Sequence, residues 1–398
     1  MNGAEEEAVR EVIRSKRLFR WSGVPDPSAP SKVAEFEAAF ARSMGASHAL
    51  AVNSGTSALV CALAALEIGP GDEVIVPAST WIATATSVLA VGAVPVVADV
   101  DESLTIDPDD VVNKLSPYTK AIMPVHLRGA AAAMDRLGEI ARDKRLALIE
   151  DTAQAVGATY RGRRLGTIGD VGAYSFQMSK IITAGEGGAI VTDSERVHRR
   201  ALMYHDAGTV DHVDVSAEEW LPGLNLRMSE LHAAVMLVQL GRLDQLLADM
   251  RSRKAALKEM IESPIAEVGI RFRTLHDPAG EAGIGLILLL PDGRMAKRFA
   301  SALGRENIPA YPLFRTDAAG PNTQAYPGWA SVIGKRAWSP AGFPWRQHPR
   351  PIEYAPDAFS RTIEILSRSV NIDITPDLSN EQLRQMAEAI TITSRKLG

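Results

Sequence analysis

The stretch from Ser175 to Asp193, SFQMSKIITAGEGGAIVTD, decides how this chain is read. A strand-like run, GAYSFQ, leads into a single lysine, Lys180, and the loop TAGEGG after it carries few side chains. Lysine is ordinarily a solvated surface residue. Here it is either a surface lysine in a flexible loop or an amine in a desolvated pocket. Near its reference pKa of about 10.4 the amine is protonated and a poor nucleophile. Desolvation lowers that value and lets the amine form a Schiff base with a carbonyl. The glycines that follow would let a bulky ligand approach the backbone closely.

Outward from this stretch, short apolar runs alternate with helical patterns from about residue 32 to 240. HALAVN, EVIVPA, VPVVADV, KAIMPVH, LALIED and GAYSFQ read as strands, and SALVCALAALEIG and WIATATSVLAVG as the helical segments between. Such alternation predicts a mostly parallel sheet covered on both faces. Ligands of these sheets lie beyond the carboxyl ends of the strands, so the residues that follow each run matter most. A long pattern of Leu231, Val235, Val238, Leu243, Leu246, Leu247 and Met250 predicts a helix connecting to a second unit. The expected division is an N-terminal helix and arm at 1–31, broken by Pro25, Pro27 and Pro30, a large domain at 32–245, and a smaller α+β domain at 246–398. The last contains the strand-like GIGLILLL, a Pro- and Trp-rich stretch at 321–356, and a final helix from about Glu381.

Composition narrows the function. The 398 residues are 46% hydrophobic and 23% charged, which is ordinary for a globular chain of this length. The net charge of −5 gives no global basic field to favour nucleic acid or an anionic membrane. No apolar run approaches the roughly 20 residues of a membrane span. The N-terminus MNGAEEEAVREVIRSKRLFRW is charged throughout and lacks the apolar core of a signal peptide. A cytoplasmic protein is expected. The one cysteine, Cys61, rules out an intrachain disulfide and sits in an apolar run, as a core thiol would.

Three further strand ends bear on Lys180. LALIED closes on Glu150 and Asp151. An acid there is either a helix N-cap or a partner for the protonated ring nitrogen of pyridoxal phosphate (PLP), whose positive charge makes the ring an electron sink. The run AVNSGTSALVCAL places Ser54-Gly55-Thr56-Ser57 between a strand and a helix, where N–H groups, hydroxyls and the helix dipole suit a phosphate. Ser, Gly and Thr are also common at helix starts. Trp81 directly follows EVIVPAS and could stack on a planar cofactor. Each feature has a dull alternative, but the four are different parts of one site.

With these residues in view, the sequence resembles the sugar aminotransferases of the DegT/StrS type. The matching segments are NSGTSAL, VPASTWIATA, MPVHLRG, EDTAQAVGATYRGRRLGTIGD, YSFQMSKIITAGEGGAIVTD and LNLRMSELHAAV, over roughly 35–245. SFQ before the lysine and IPAYPLFRTDA later are similar to the branch with aminocyclitol aminotransferases and 3-amino-5-hydroxybenzoate synthases. The resemblance implies an α/β, fold-type-I PLP-dependent transferase. It gives Lys180 as the Schiff-base lysine, Asp151 as the partner of the pyridine nitrogen and Gln154 as the neighbour of the ring hydroxyl. Trp81 becomes the stacking aromatic, Gly55, Thr56 and Ser175 phosphate contacts, and Asn225 a residue reaching the phosphate of the neighbouring subunit in a homodimer. Lys180 stands where a related branch of dehydratases carries histidine, which disfavours dehydration. Gln177 replaces a common histidine and Arg128 a common aromatic.

The expected reaction is a two-half transfer of an amino group from L-glutamine or L-glutamate to a keto sugar or keto cyclitol, with Lys180 as general base. The rival readings are an aromatising synthase of the same cofactor class and a non-catalytic sugar-binding protein on the same scaffold. No GxGxxG follows an early strand, against a dinucleotide dehydrogenase. The eight histidines show no zinc-ligand spacing.

Overall fold

The computed structural model describes residues 1–21, 31–211, 215–314 and 323–397. Pro25, Pro27, Pro30 and the RTDA of IPAYPLFRTDA lie outside the described residues. The strands, in chain order, are β1 His48–Val52, β2 Glu73–Pro77, β3 Val94–Ala98, β4 Thr119–Ile122, β5 Ala147–Asp151, β6 Thr159–Tyr160, β7 Arg163–Arg164, β8 Val171–Ser175 and β9 Gly188–Thr192. The later ones are β10 Arg271–Phe272, β11 Gly285–Leu289, β12 Ala310–Pro312 and β13 Ser369–Asp373.

All six expected runs form strands of one seven-stranded sheet, ordered β1-β9-β8-β5-β4-β2-β3. Strands β8, β5, β4, β2 and β3 are mutually parallel. Strand β9 lies antiparallel between β1 and β8, so β1 runs in the direction of β8. The carboxyl ends of β1, β2, β4, β5 and β8 therefore open on one edge, and β9 begins there. Every residue of β2, β3, β8 and β9 is buried. A sheet covered on both faces requires this, and it explains why these runs show no alternation.

The cover on the β8 side sets the height of the lysine loop. Helix Lys32–Met44 starts at Ser31, whose hydroxyl accepts from Ala34 N–H, and ends at Gly45 with φ 74°. Its Phe36 and Phe40 are fully buried. They meet Phe176 and Tyr174 edge to face, with centroids 5.6 and 5.0 Å apart. Such pairs contribute about 0.5–1.5 kcal/mol beyond their area burial. The strand that delivers Lys180 is thus clamped by an aromatic cluster just before the loop.

The expected connecting helix is two helices, Glu230–Leu240 and Leu243–Ala266. The break falls at Gly241 and Arg242. Glycine costs a helix interior roughly 1 kcal/mol. Both Gln239 and Arg242 are tied to Glu5 of the N-terminal helix Gly3–Ser15, at 2.5 and 2.7 Å. A second sheet, fully antiparallel, has the order β10-β11-β13-β12.

The Pro- and Trp-rich stretch carries its main anchors back to the seven-stranded sheet. Tyr326 N–H donates to Ala78 O, Ile82 N–H to Thr323 O and the Tyr354 hydroxyl to Pro95 O, at 2.8, 2.9 and 2.6 Å. Arg350 grips the fully buried Glu73 carboxylate with two donors, at 2.6 and 2.9 Å. The final helix spans Asn380–Leu397. No helix among the described residues is long and apolar enough to cross a membrane.

Candidate active site

Asp151 closes β5 and is 4% exposed. Its Oδ2 accepts from the Thr84 hydroxyl at 2.8 Å and its Oδ1 from Ala153 N–H at 3.2 Å. Burial pushes its pKa up, while Thr84, Ala153 and the charge of Lys180 act against that rise. Among the described residues no cation forms an ion pair with it. A buried carboxylate met only by a hydroxyl and one N–H is a costly group, and a protonated ring nitrogen is the partner that its setting lacks.

Lys180 lies beyond β8 in a tight turn, its N–H donating to Gln177 O at 2.9 Å. Among the described residues no hydrogen bond or ion pair holds its amine. Burial lowers its pKa, and the nearby charge of Arg128 acts in the same direction, while Asp151 opposes both. The amine and the carboxylate therefore each feel the other's charge. The Asp151 side chain also bonds its own turn, but no helix follows it, so it is not a helix N-cap.

The loop after β1 carries the residues expected to meet a phosphate. Ser54 caps helix Gly55–Ala65, its hydroxyl accepting from Ser57 N–H at 3.0 Å. Gly55 faces Ser175 so closely that a Cβ on Gly55 would sit 2.6 Å from the Cβ of Ser175. Only glycine permits the approach; Thr56 beside it is exposed, and the first N–H groups of the helix have no intrahelical partners. Trp81, 51% exposed, follows β2 on the same edge. Its carbonyl accepts from Thr84 N–H, so one turn carries both the aromatic face and the hydroxyl that holds Asp151.

Gln154 is half-buried, and its side-chain oxygen accepts from Arg128 N–H at 3.0 Å. Asn225 is exposed, on the segment that pairs beside the end of β1: Asn53 N–H donates to Leu226 O at 2.7 Å. Its own side chain accepts from Arg227 N–H. Gln177 bonds Ser179 and orders the lysine turn.

Three supporting residues escaped the sequence reading. His126 and Glu150 are both fully buried and meet at 2.9 Å. Glu150 also accepts from the N–H groups of Gly166, Ile168 and Gly169, at 2.7, 2.6 and 2.7 Å. These bonds fix the end of β5 and hence Asp151. Their donors hold the Glu150 pKa below the usual carboxylate value in spite of burial. Thr84 is the third, and its signal was the Thr80/Thr84 pair one helical turn apart, linked at 2.8 Å.

These residues fit PLP: a buried acid without a cation, an amine of depressed pKa, a glycine-dependent helix start and an open indole. Known proteins agree. The chain is 47% identical over 247 residues to the GDP-perosamine synthase of Caulobacter vibrioides, covering 61% of this chain and 64% of that one. It is 40% identical over 298 residues to the L-glutamine:2-deoxy-scyllo-inosose aminotransferase of Micromonospora echinospora, covering 71% and 70%. The crystal structure of 3-amino-5-hydroxybenzoic acid synthase superposes with TM-score 0.81 at 30% identity, covering 100% of this chain and 97% of that one. The DegT/DnrJ/EryC1/StrS aminotransferase family profile matches residues 3–327. The chain is a member of that family of PLP-dependent, fold-type-I enzymes.

Proposed function

We propose that this protein transfers an amino group from L-glutamine or L-glutamate to a keto sugar or keto cyclitol, the kind of reaction named for the L-glutamine:2-deoxy-scyllo-inosose aminotransferase that it resembles. The observation that carries this reading is that the buried Asp151 carboxylate has no cation ion-paired to it among the described residues and lies on the same edge of the sheet as Lys180, whose amine burial pushes toward its neutral form.

PLP bound there supplies an electron sink that makes the donor's Cα–H bond acidic. Asp151 would hold the proton on the ring nitrogen, because its burial makes any charge it carries depend on an opposite charge beside it. Gln154 would serve the ring hydroxyl and Trp81 a ring face. Gly55, Thr56 and Ser175 would hold the phosphate, and Asn225 would reach the phosphate site of a second copy in a homodimer. With the cofactor bound, Lys180 would take the proton from the donor's Cα at its Nζ and deliver it two atoms away, beyond the donor nitrogen. Burial and Arg128 favour the unprotonated amine needed for this step.

A second reading, an aromatising synthase, is favoured by the full-length similarity to 3-amino-5-hydroxybenzoic acid synthase. It uses the same proton transfer and adds eliminations. The test is incubation of the holoenzyme with L-glutamine, then with keto cyclitols and keto sugars, while following the cofactor's absorbance and the products. An aminated acceptor supports the transfer, and an aromatic product supports the second reading. No spectral change with any amino acid removes the transfer, and no aromatic product from any acceptor removes the second reading.

A further inference from the structure

Arg128 is held in place more firmly than a cleft arginine needs to be. Its backbone is left-handed, φ 52° and ψ 42°, a conformation that costs a non-glycine residue on the order of 1 kcal/mol. Three bonds enforce it. The side-chain oxygen of Gln154 accepts its N–H at 3.0 Å. The buried guanidinium of Arg273 donates to Leu127 O and to Arg128 O, at 3.0 and 3.2 Å.

The side chain these bonds orient hydrogen-bonds the Tyr311 hydroxyl but has no close carboxylate partner among the described residues. Its guanidinium lies 5.4 Å over the Tyr311 ring. Its one charge partner among the described residues is Asp373, at 4.0 Å, the outer limit of an ion pair. That carboxylate oxygen already accepts from the Tyr311 hydroxyl at 3.0 Å and from Asn371 at 2.7 Å. Tyr311 and Asp373 belong to the second sheet, whereas Arg128 follows β4 of the first. A fork of five N–H donors thus lies between the sheets, close enough to Lys180 for its charge to be felt there.

We propose that Arg128 is the site's carboxylate anchor, binding a planar substrate carboxylate bidentately, with Asp373 as the loose counter-charge that this carboxylate displaces. The assignment rests on the amino-transfer reading above. The α-carboxylate of an amino-acid donor is one bond from the Cα that Lys180 must reach, so a cation beside that amine is suitably placed. A carboxylate on the keto acceptor presents the same planar chemistry. Arginine matches either with two parallel hydrogen bonds, which lysine does not reproduce.

The experiment is calorimetric titration of the holoenzyme with two unreactive probes. One is 4-carbamoylbutanoate, which is glutamine without its amino group. The other is cyclohexanecarboxylate, a ring acid without a carbonyl. Wild type, Arg128→Gln, Arg128→Lys and Asp373→Asn are compared. The proposal expects Arg128→Gln to weaken one probe at least tenfold, Arg128→Lys to recover it only in part, and Asp373→Asn to tighten it severalfold. Loss of the first probe assigns the donor carboxylate and loss of the second the acceptor's. Binding of both probes to Arg128→Gln with less than tenfold change overturns the proposal. If the Arg128 variants do not fold, Asp373→Asn decides: tighter binding supports the anchor, and unchanged or weaker binding overturns it. The probes do not react, so their binding is read independently of turnover. A wild type that converts no amino acid defeats the amino-transfer reading instead.

Discussion

At Lys180 the side chain is defined by what surrounds it more than by what bonds it. Burial and Arg128 both favour the neutral amine, and only Asp151 favours the cation. Lys180→Ala should lower kcat/KM by at least about 10²–10⁴, the range for losing a positioned acid–base group, while cofactor absorbance survives non-covalently. Retained full activity would refute its role. Asp151→Asn removes the charge that pairs with the ring nitrogen but keeps the bonds from Thr84 and Ala153. It should reduce the rate of the L-glutamine half-reaction far more than it reduces thermal stability, read by stopped flow and calorimetry on the same sample. Lys180 and Asp151 were legible as candidates because one follows a strand-like run and the other ends one. His126, Glu150 and Thr84 were not, because they acquire meaning only when β4, β5 and the turn after β2 are adjacent.

Elements turn these residues into a site, and they were legible to different degrees. Continuous Val- and Ile-rich runs identified the parallel strands. The antiparallel insertion of β9 left no such trace, since strand direction does not alter periodicity. The single long helix expected from Leu231 to Met250 failed at Gly241, where the contacts of Gln239 and Arg242 with Glu5 lie far apart in sequence. The turn at Gly55 makes the sharpest claim at this scale. Gly55→Ala would put a methyl group 2.6 Å from the Ser175 Cβ, so β8 or the helix start must shift. Cofactor retention after gel filtration should fall, with little loss of helix by circular dichroism. Ser54→Ala, which removes only the cap, should cost about 1 kcal/mol of stability and retain the cofactor better.

Across the whole molecule, two sheets meet around Arg128, and a segment from the carboxyl-terminal half is fastened to the first sheet by Arg350 and Glu73. That packing was not legible, because Glu73 reads as an exposed acid at the start of a strand and is fully buried. Stability should also depend on pH through His205, whose pKa is lowered by burial from 6.5 to about 4. Between these values the unfolded chain binds a proton that the folded chain does not. Stability is therefore full above pH 6.5 and is lost as pH falls toward 4, by up to about 3 kcal/mol. His205→Gln should flatten the fall in melting temperature over that interval, and an unchanged slope would assign the loss elsewhere. Asn225→Ala should loosen the cofactor in a homodimer and leave Lys180 in place. The most direct measurement is borohydride reduction of the holoenzyme, followed by digestion and mass mapping of the cofactor-bearing peptide. The account predicts that the label lies on Lys180 within the SFQMSK segment. A label on any other lysine, or no covalent label in a holoenzyme with bound PLP, would contradict it.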